Sequence, residues 1–531
     1  MEKTHYKLEA AAGLKHNGGP QTGLTSFIQG GIAVKKYAWA VSLFLLCAAV
    51  LQLSAQNQSH NPTWWNKYQY LLNHGAASPG GAAPSITVGA NVDVSNECGP
   101  QSETFIAVNS VNPKILAAGS NEIFRDPMRG YFSTNEGANW GAVDLPLPAP
   151  IGANGVRFGS DPSLAFDTRG NVFYGYIVVF FGNGTGVNGT EMAVAQSADG
   201  GKSYPAVTFF SFSSGSDHFN DKPIITTDTN AGSPFRDNVY IAWDAASGGS
   251  ASGGGVRVAT SNDHGATFNA VRVDDPSGPG RSIGASPFVG PDGTLYVAWN
   301  DFAANVIAFA RSSDGGTTWQ RPNIVSTKNA AFDIGIPAES FRRALVYPSC
   351  DADRSNGPHR GRLFCSWMDL TAAGTTDIFM SFSDDKGNTW SPPNSVTDAL
   401  AVPVDRFNHW MAVDPVTGDV NVSFYDTRND TTGSRFMTDT FFTQSKNGGQ
   451  AFLSPNIRVS TVSSNEHDCN GVFPCNAIDY GNQQGDYEGL ASFAGISHPV
   501  WTDSRRQQAP SPGCSTGLAM EEVFTALVNV K

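Results

Sequence analysis

An eight-residue pattern recurs six times along this chain of 531 residues, and it constrains the fold more than any other feature. The copies read S-x-[DN]-x-G-x-[TSNA]-[WFY] and begin at Ser133, Ser197, Ser261, Ser312, Ser383 and Ser445. The glycine suits a tight turn, the Asp or Asn side chain accepts hydrogen bonds from turn amides, and the aromatic residue packs between strands. We therefore predict that the third residue of each motif is structural: Asn135, Asp199, Asp263, Asp314, Asp385 and Asn447.

A second pattern precedes each motif and occurs seven times, beginning near Glu103, Asp161, Asp221, Ser286, Tyr347, His409 and Glu488. It reads as a short apolar strand, a Gly/Asp/Asn turn, and an aromatic strand that ends in an acidic or amide residue. With one more strand on each side of the eight-residue motif, the unit has four antiparallel strands, A to D. Four-stranded sheets repeated along a chain indicate the blades of a β-propeller.

Seven A–B pairs but only six eight-residue motifs require one blade to be completed differently. The segment SITVGANVDV, from Ser85, resembles a D strand without its own blade, and MEEVFTALVNV near the C-terminus lacks a following strand. Pairing the two closes the ring. We predict an all-β, seven-bladed β-propeller over residues 86–531, with six blades as the alternative.

The N-terminal segment has the layout of an export signal. Residues 35–55 contain two lysines, an apolar run and a small-residue end, which predicts a signal peptide cleaved after Ala55; an uncleaved anchor is the alternative. Residues 1–34 form an N-terminal extension that fits a mis-assigned start, and residues 56–85 predict a short helix and a linker. The mature protein is thus expected to be secreted or periplasmic, without a membrane attachment.

Six cysteines follow the predicted signal peptide, and in an exported protein they suggest disulfides. The pairs that fit the propeller are Cys98 with Cys514, Cys350 with Cys365, and Cys469 with Cys475. No CxxC or HExxH pattern occurs, so we predict neither a metal nor a cofactor. The alternative is calcium at DADRSNG (351–357), although its glycine comes one place late.

The formal net charge of −13 argues against nucleic acid as a partner and leaves glycans and proteins open. We expect a monomer that binds a glycan or glycoconjugate.

The six motifs and their spacing resemble the Asp-box (BNR) repeat of the sialidase superfamily, and the chain looks most like its secreted bacterial members. The resemblance implies a glycoside hydrolase that acts on extracellular glycans at the rim opposite the motifs. A non-catalytic propeller for glycan or protein recognition is the alternative, because the repeat also occurs in proteins without enzymatic activity.

Sialidases bind the substrate carboxylate with three arginines, attack with a tyrosine activated by a glutamate, and use an aspartate as the acid. The resemblance assigns the arginine role to Arg125, Arg428 and Arg505, the nucleophile side to Tyr487 with Glu488 or Asp486, and the acid to Asp161 or Asp221. His409, Asp426 and Asp503 are the further substrate-binding candidates on the rim. Arg428 and Arg505 each follow an Asp by two residues, so a local salt bridge is the alternative role of these two arginines.

Overall fold

The computed structural model describes residues 86–97, 100–122, 125–182, 187–214, 218–247, 255–275, 282–340, 342–467, 484–505 and 521–530. These residues belong to one unit, Pro84–Lys531. Within these ranges the regular secondary structure is a set of β-strands, as expected for many short, turn-rich segments. No helix of the described ranges has the length and apolarity needed to cross a bilayer.

The strands are numbered in chain order. The first half comprises β1 Ile86–Val88, β2 Val92–Asp93, β3 Gln101–Val108, β4 Leu116–Glu122, β5 Arg129–Ser133, β6 Gly141–Asp144, β7 Val156–Phe166, β8 Val172–Phe181, β9 Gly189–Ser197, β10 Ala206–Ser214, β11 His218–Thr227, β12 Val239–Ser247, β13 Gly255–Ser261, β14 Asn269–Arg272, β15 Ser282–Val289, β16 Leu295–Asp301, β17 Val306–Ser312 and β18 Gln320–Thr327. The second half comprises β19 Asp333–Ile334, β20 Ala344–Leu345, β21 Pro348–Ala352, β22 Leu363–Leu370, β23 Thr376–Ser383, β24 Asn394–Ser395, β25 Arg406–Val413, β26 Val420–Asp426, β27 Met437–Ser445, β28 Ile457–Arg458, β29 Ser464–Asn465, β30 Gly489–Phe493, β31 Ile496–Asp503, β32 Glu522–Thr525 and β33 Val528–Val530.

These strands form seven antiparallel blades around a ring. Blades 1 to 4 are β3–β6, β7–β10, β11–β14 and β15–β18, and blades 5 and 6 are β21–β24 and β25–β28. In each of them the strands lie in sequence order, with strand A first. The predicted seven-bladed all-β propeller is confirmed, and the six-bladed alternative is wrong. The short hairpin of β19 and β20 belongs to the connection between blades 4 and 5.

Blade 7 is built from both ends of the described chain. Strands β30 and β31 pair as A and B, and β31 pairs in turn with β32 and β33. The N-terminal strands complete the sheet: β1 pairs with β33 and β2 with β32, with Ile86 opposite Val530. The ring is therefore closed by the N-terminal strand that the sequence left without a blade.

The blades pack through their buried aromatic residues and are joined by serine hydrogen bonds. Each of four B strands carries a tryptophan that is almost fully buried: Trp243, Trp299, Trp367 and Trp501. Serine hydroxyls of three A strands accept hydrogen bonds from amides of the next A strand: Ser163 from Ile225, Ser286 from Cys350, and Ser349 from Met411. Polar groups at the crowded centre are thus satisfied between blades.

The six eight-residue motifs, here called the motif turns, share one hydrogen-bond pattern. In the fourth copy, the Ser312 hydroxyl donates to Asp314 Oδ1 at 2.7 Å and accepts from the Gly316 amide at 2.9 Å. Asp314 Oδ1 also accepts from the Thr318 amide at 2.8 Å. The same serine-to-Asp/Asn bond occurs in the other five motif turns. Hydrogen bonds to the carboxylate, first from the Thr318 side chain, lower the pKa of Asp314 to about 2.

Five A strands contain the same β-bulge near their first residues, and this feature positions the candidate site. The strand register shifts at this point in blades 1, 2, 3, 4 and 6. The residues with positive φ at the bulges are Glu103, Asp161, Lys222, Gly284 and Asn408. A bulge bends the strand and re-aims its side chains, and a positive φ at a residue other than glycine is strained. Charged side chains therefore occupy three of the five bulges, where the A strands begin.

Strands A and B of blade 5 are joined by a disulfide between Cys350 and Cys365, which lie opposite each other in the ladder. This predicted pair is confirmed. The partners of the other two predicted pairs, Cys98 with Cys514 and Cys469 with Cys475, lie outside the described residues. The predicted extension, signal peptide, helix and linker of residues 1–85 also lie outside them.

Candidate functional site

A cavity of about 420 Å³ lies where the A strands of blades 1 to 3 begin and the B strands of blades 1 and 2 end. We call it the rim cavity. The polar and acidic residues of its lining, here called the acidic side, are Glu103, Asn121, Glu122, Ser160, Asp161, Asp221, Arg342 and Asp486. The apolar residues of the lining, here called the apolar side, include Phe158, Ile177, Val179, Phe181, Val187 and Phe219.

Asp161 is the centre of the hydrogen-bond network on the acidic side. Its Oδ2 accepts from the amide of Lys222 at 2.9 Å, and its Oδ1 accepts from the Ser160 hydroxyl at 2.7 Å. The Asp161 amide donates to Asn121 Oδ1 at 2.7 Å. Asp161 also hydrogen-bonds the carboxyl groups of Asp221 and Glu103. The strained bulge thus holds this carboxylate between two blades.

The three carboxyl groups of this network have pKa values that are shifted in opposite directions. Burial raises the pKa of Asp221 well above its usual range, and the charge of Asp161 raises it further. Burial acts on Asp161 in the same direction, but hydrogen bonds from Asp221, Ser160 and Glu103 outweigh it and lower the pKa of Asp161. Burial, with the charges of Asp486 and Asp161, raises the pKa of Glu103. Of the Asp221 and Asp161 carboxyl groups, that of Asp221 therefore keeps its proton to the higher pH.

Arg342 reaches the cavity from the long connection between β18 and β21. Its Nε donates to Asp486 Oδ1 at 2.6 Å, and its Nη2 donates to Glu103 Oε1 at 3.0 Å. One guanidinium group thereby joins the blade 4–5 connection to carboxylates of blades 7 and 1. A planar guanidinium is suited to such a two-sided bridge.

Lys222 lies beside the cavity with its side chain buried among aromatic rings. Its Nζ is 4.3 Å from the ring centre of Tyr347, 4.6 Å from that of Tyr487 and 5.6 Å from that of Trp410. Burial lowers the pKa of Lys222, while the charges of nearby carboxylates, first Asp244, act in the opposite direction. The ammonium group is stabilised by the ring faces and by the surrounding carboxylates.

Comparison with solved structures finds matches of low sequence identity. A leech intramolecular trans-sialidase is 14% identical, with 72% of this chain and 73% of that chain covered and a TM-score of 0.45. A protein of unknown function from Dyadobacter fermentans is 12% identical, with 84% and 99% covered and a TM-score of 0.43. An intramolecular trans-sialidase from Ruminococcus gnavus is 13% identical, with 62% and 90% covered and a TM-score of 0.42. No protein-family model and no curated protein matches the sequence.

Of the residues that the sequence proposed as catalytic, the structure brings Asp161, Asp221 and Asp486 together in the rim cavity. Tyr487 and Glu488 are not among the lining residues. Tyr487 is buried and donates a hydrogen bond to the Pro162 carbonyl oxygen at 3.2 Å. Glu488 is fully buried, next to Ser423. The structure thus does not place the expected tyrosine–glutamate pair in the rim cavity.

The three predicted arginines are each held by their own carboxylates. Arg125 donates to Asp144 at 2.9 Å, and Arg428 lies 2.6 Å from Asp426. Arg505 pairs with Asp503. For Arg428 and Arg505 this is the local salt bridge that the sequence offered as the alternative. The described structure shows no contact that joins the three arginines, and the rim cavity contains none of them.

The remaining rim candidates are buried within their blades. Asp426 and Asp503 are fully buried beneath their arginines, and His409 is buried against the Ser366 hydroxyl at 2.9 Å. Burial lowers the pKa of His409 to about 4, so this imidazole is neutral near pH 7.

The residues of the calcium-like loop are engaged in the A–B turn of blade 5. Asp351 pairs with Arg354 at 2.7 Å, and Asp353 accepts from the Ser355 amide at 2.8 Å. In the described ranges no group of three or more His, Cys, Asp or Glu side chains has the arrangement of a metal site.

Sequence reasoning missed Arg342 and Lys222 as members of the site. The signal for Arg342 was the length of the connection from Thr327 to Pro348, which exceeds the D–A connections that lead into β7 and β11. Lys222 directly follows Asp221 and occupies the bulge position of its strand. The other bulged A strands have an acid, an amide or a glycine at this position.

Proposed function

We propose that this protein is a glycoside hydrolase and that the rim cavity is its active site. Asp221 acts as the general acid and protonates the glycosidic oxygen. Ordinary glycosidases use a second carboxylate as nucleophile or base, and we assign that role to Asp486, which Arg342 holds at the edge of the cavity. The substrate is an extracellular glycan.

The paired carboxyls of Asp221 and Asp161 carry this proposal. A general acid must hold a proton at the pH of the reaction, be close to the substrate and be oriented. Asp221 is partly exposed in the cavity, and its hydrogen bond to Asp161 fixes its orientation. Two carboxyl groups whose environments separate their pKa values are the usual means of assigning an acid and its partner.

The test uses nitrophenyl and methyl glycosides of several neutral sugars together with a sialoside. We expect turnover of at least one substrate, and Asp221→Asn should lower kcat/KM by about 100-fold or more. The loss should be larger for methyl than for nitrophenyl leaving groups, because only a poor leaving group needs the proton. A folding defect would affect both classes equally.

Asp301→Asn is the matched control. Asp301 ends strand β16 of blade 4 and accepts hydrogen bonds from the Ala303 and Ala304 amides, away from the rim cavity. Its replacement should leave turnover unchanged. Absence of turnover with every substrate, in a protein that is folded, would refute the hydrolase proposal and favour a recognition propeller.

We further propose that the protein is exported and that residues 35–55 direct its export. The expected mature N-terminus is Gln56, which the mass of the protein recovered outside the cytoplasm would test. A mature protein that still contains residues 35–55 would contradict the proposed cleavage.

A further inference from the structure

The apolar side of the rim cavity is built by strands that are longer than their counterparts in blade 1. Strand β7 starts five residues before its bulge residue Asp161, whereas β3 starts two residues before Glu103. The additional residues of β7 and β8 include Phe158 and Phe181. Because side chains alternate along a strand, Phe219 faces the same side as Asp221 on β11.

These rings form one partly exposed surface, here called the aromatic wall: Phe158, Phe181 and Phe219. Phe158 and Phe181 stack with ring centres 5.8 Å apart and an angle of 24° between their planes. All three are packed from behind by the core of blades 2 and 3, yet each remains partly exposed in the cavity. Rigid, half-covered aromatic rings in a cavity are suited to covering the apolar face of a ligand.

The acidic side of the cavity has no surplus of positive charge. Five carboxyl groups line the cavity, and Arg342 is its one lining cation within the described residues. That guanidinium already bridges Glu103 and Asp486. An anionic sugar would place its carboxylate among these acids without a fork of arginine donors, and a buried unpaired charge is costly.

We propose that the rim cavity binds an uncharged sugar ring, with its C–H face on the aromatic wall and its hydroxyl groups toward Asp161, Asp221 and Asp486. This inference rests on the proposed function, because it names the substrate class of the same site. Carboxylates accept hydrogen bonds from hydroxyl groups, and protonated Asp221 donates one. Both sides of the cavity therefore match a ring that is apolar on one face and hydroxylated at its edge.

The test measures binding by calorimetry to the full protein that carries Asp221→Asn, so that hydrolysis does not interfere. The probes are lactose, cellobiose, xylobiose and arabinobiose as uncharged sugars, and sialyllactose as the anionic one. We expect at least one uncharged probe to bind more tightly than sialyllactose. Adding Phe158→Ala or Phe219→Ala should weaken that binding about tenfold.

Two further variants separate stacking from general damage. Phe212 is 48% exposed on the same blade but does not line the cavity, so Phe212→Ala should leave the affinity unchanged. Phe158→Leu keeps an apolar side chain without a flat ring and should weaken binding by an intermediate amount. Thermal unfolding of each variant confirms that it is folded.

Three outcomes would each overturn this inference. Sialyllactose could bind more tightly than every uncharged probe, the wall variants could bind as tightly as the protein with Asp221→Asn alone, or no uncharged probe could bind. The hydrolase proposal fails in a different way. Uncharged sugar that binds through the aromatic wall but is never cleaved by the unmodified protein would refute hydrolysis and leave the binding site intact.

Discussion

Asp221 donates a hydrogen bond to Asp161 across the seam between blades 3 and 2, because the raised pKa of Asp221 and the lowered pKa of Asp161 leave the proton on Asp221. Asp161 is itself fixed by the amide of Lys222, which follows Asp221 in the chain. The proton donor and the carboxylate that orients it are thus connected through both side chain and backbone. This arrangement depends on the bulges of two adjacent blades, and no single sequence motif specifies it.

Arg342→Met should disrupt the site without unfolding the propeller. The substitution removes the cation between Glu103 and Asp486, and repulsion between these acids raises the pKa of Glu103 further. We expect at least a tenfold loss of kcat/KM and faster hydrogen exchange of amides 328–347. Arg343→Met is the control, because Arg343 pairs with Asp333 inside the same connection. Equal behaviour of the two variants would show that the bridge has no role in the site.

Lys222→Met should move the pH profile of activity. The ammonium group lowers the pKa of Asp244 and is surrounded by the carboxylates of Asp486, Glu103 and Asp161. Without it the pKa of Asp244 rises, so the pH profile should shift upward by roughly half a pH unit or more. Lys386→Met, at an exposed salt bridge with Asp292, should leave the profile unchanged. A lower kcat with an unmoved profile would mean that Lys222 only packs against the rings.

Glu522→Gln should stabilise the protein at pH 8 but not at pH 4. Burial, with the charges of Asp93 and Asp503, raises the pKa of Glu522 from 4.5 to about 9. The folded state therefore retains a proton that the unfolded chain releases, and this contribution to stability decreases as the pH rises from about 4.5 to 9. Gln needs no proton, so the free energy of unfolding at pH 8 should increase by about 2 kcal/mol.

Urea denaturation of the Glu522 variant at the two pH values measures this difference. Glu136→Gln, in the first motif turn, is the control and should show no comparable gain. A variant that is destabilised equally at both pH values would indicate that the native carboxyl makes a hydrogen bond that Gln does not replace.

Asp314→Ala should lower the free energy of unfolding by about 1 kcal/mol and leave activity unchanged. The substitution removes the acceptor of the Ser312, Thr317 and Thr318 hydrogen bonds in a turn remote from the rim cavity. Asp314→Asn should restore most of the stability, because the motif turns at Ser133 and Ser445 already use Asn. Loss of activity at full stability would argue instead for a functional motif turn.

The fold could be predicted from the sequence because the residues that determine each blade lie close together along the chain. The glycines and hydrogen-bonding side chains of the motif turns act within eight residues, and strands A and B are neighbours in sequence. Even the closing strand was visible, because an unpaired strand at one end matched an incomplete blade at the other. The Cys350–Cys365 bond followed from the same local ladder.

The candidate site was harder to predict from the sequence, because it joins residues that are distant along the chain. Arg342 binds Glu103 and Asp486, which lie in other blades, and no local pattern specifies such a contact. The salt bridges of Arg428 and Arg505 were easier to predict, because each arginine follows its aspartate by two residues in the sequence. The bulges depend on tertiary context, so the positions of Asp161 and Lys222 could not be derived from strand alternation alone.

The pairing of Ile86 with Val530 determines the order in which the parts of this protein can fold. A ribosome that has released six blades has produced an arc whose first strand has no partner until residues 528–530 are synthesised. Joining the two chain ends is then the final step, and the entropic cost of bringing them together falls on that step. A chain that lacks residues 528–530 keeps most of its blades but loses the strand that pairs with β1.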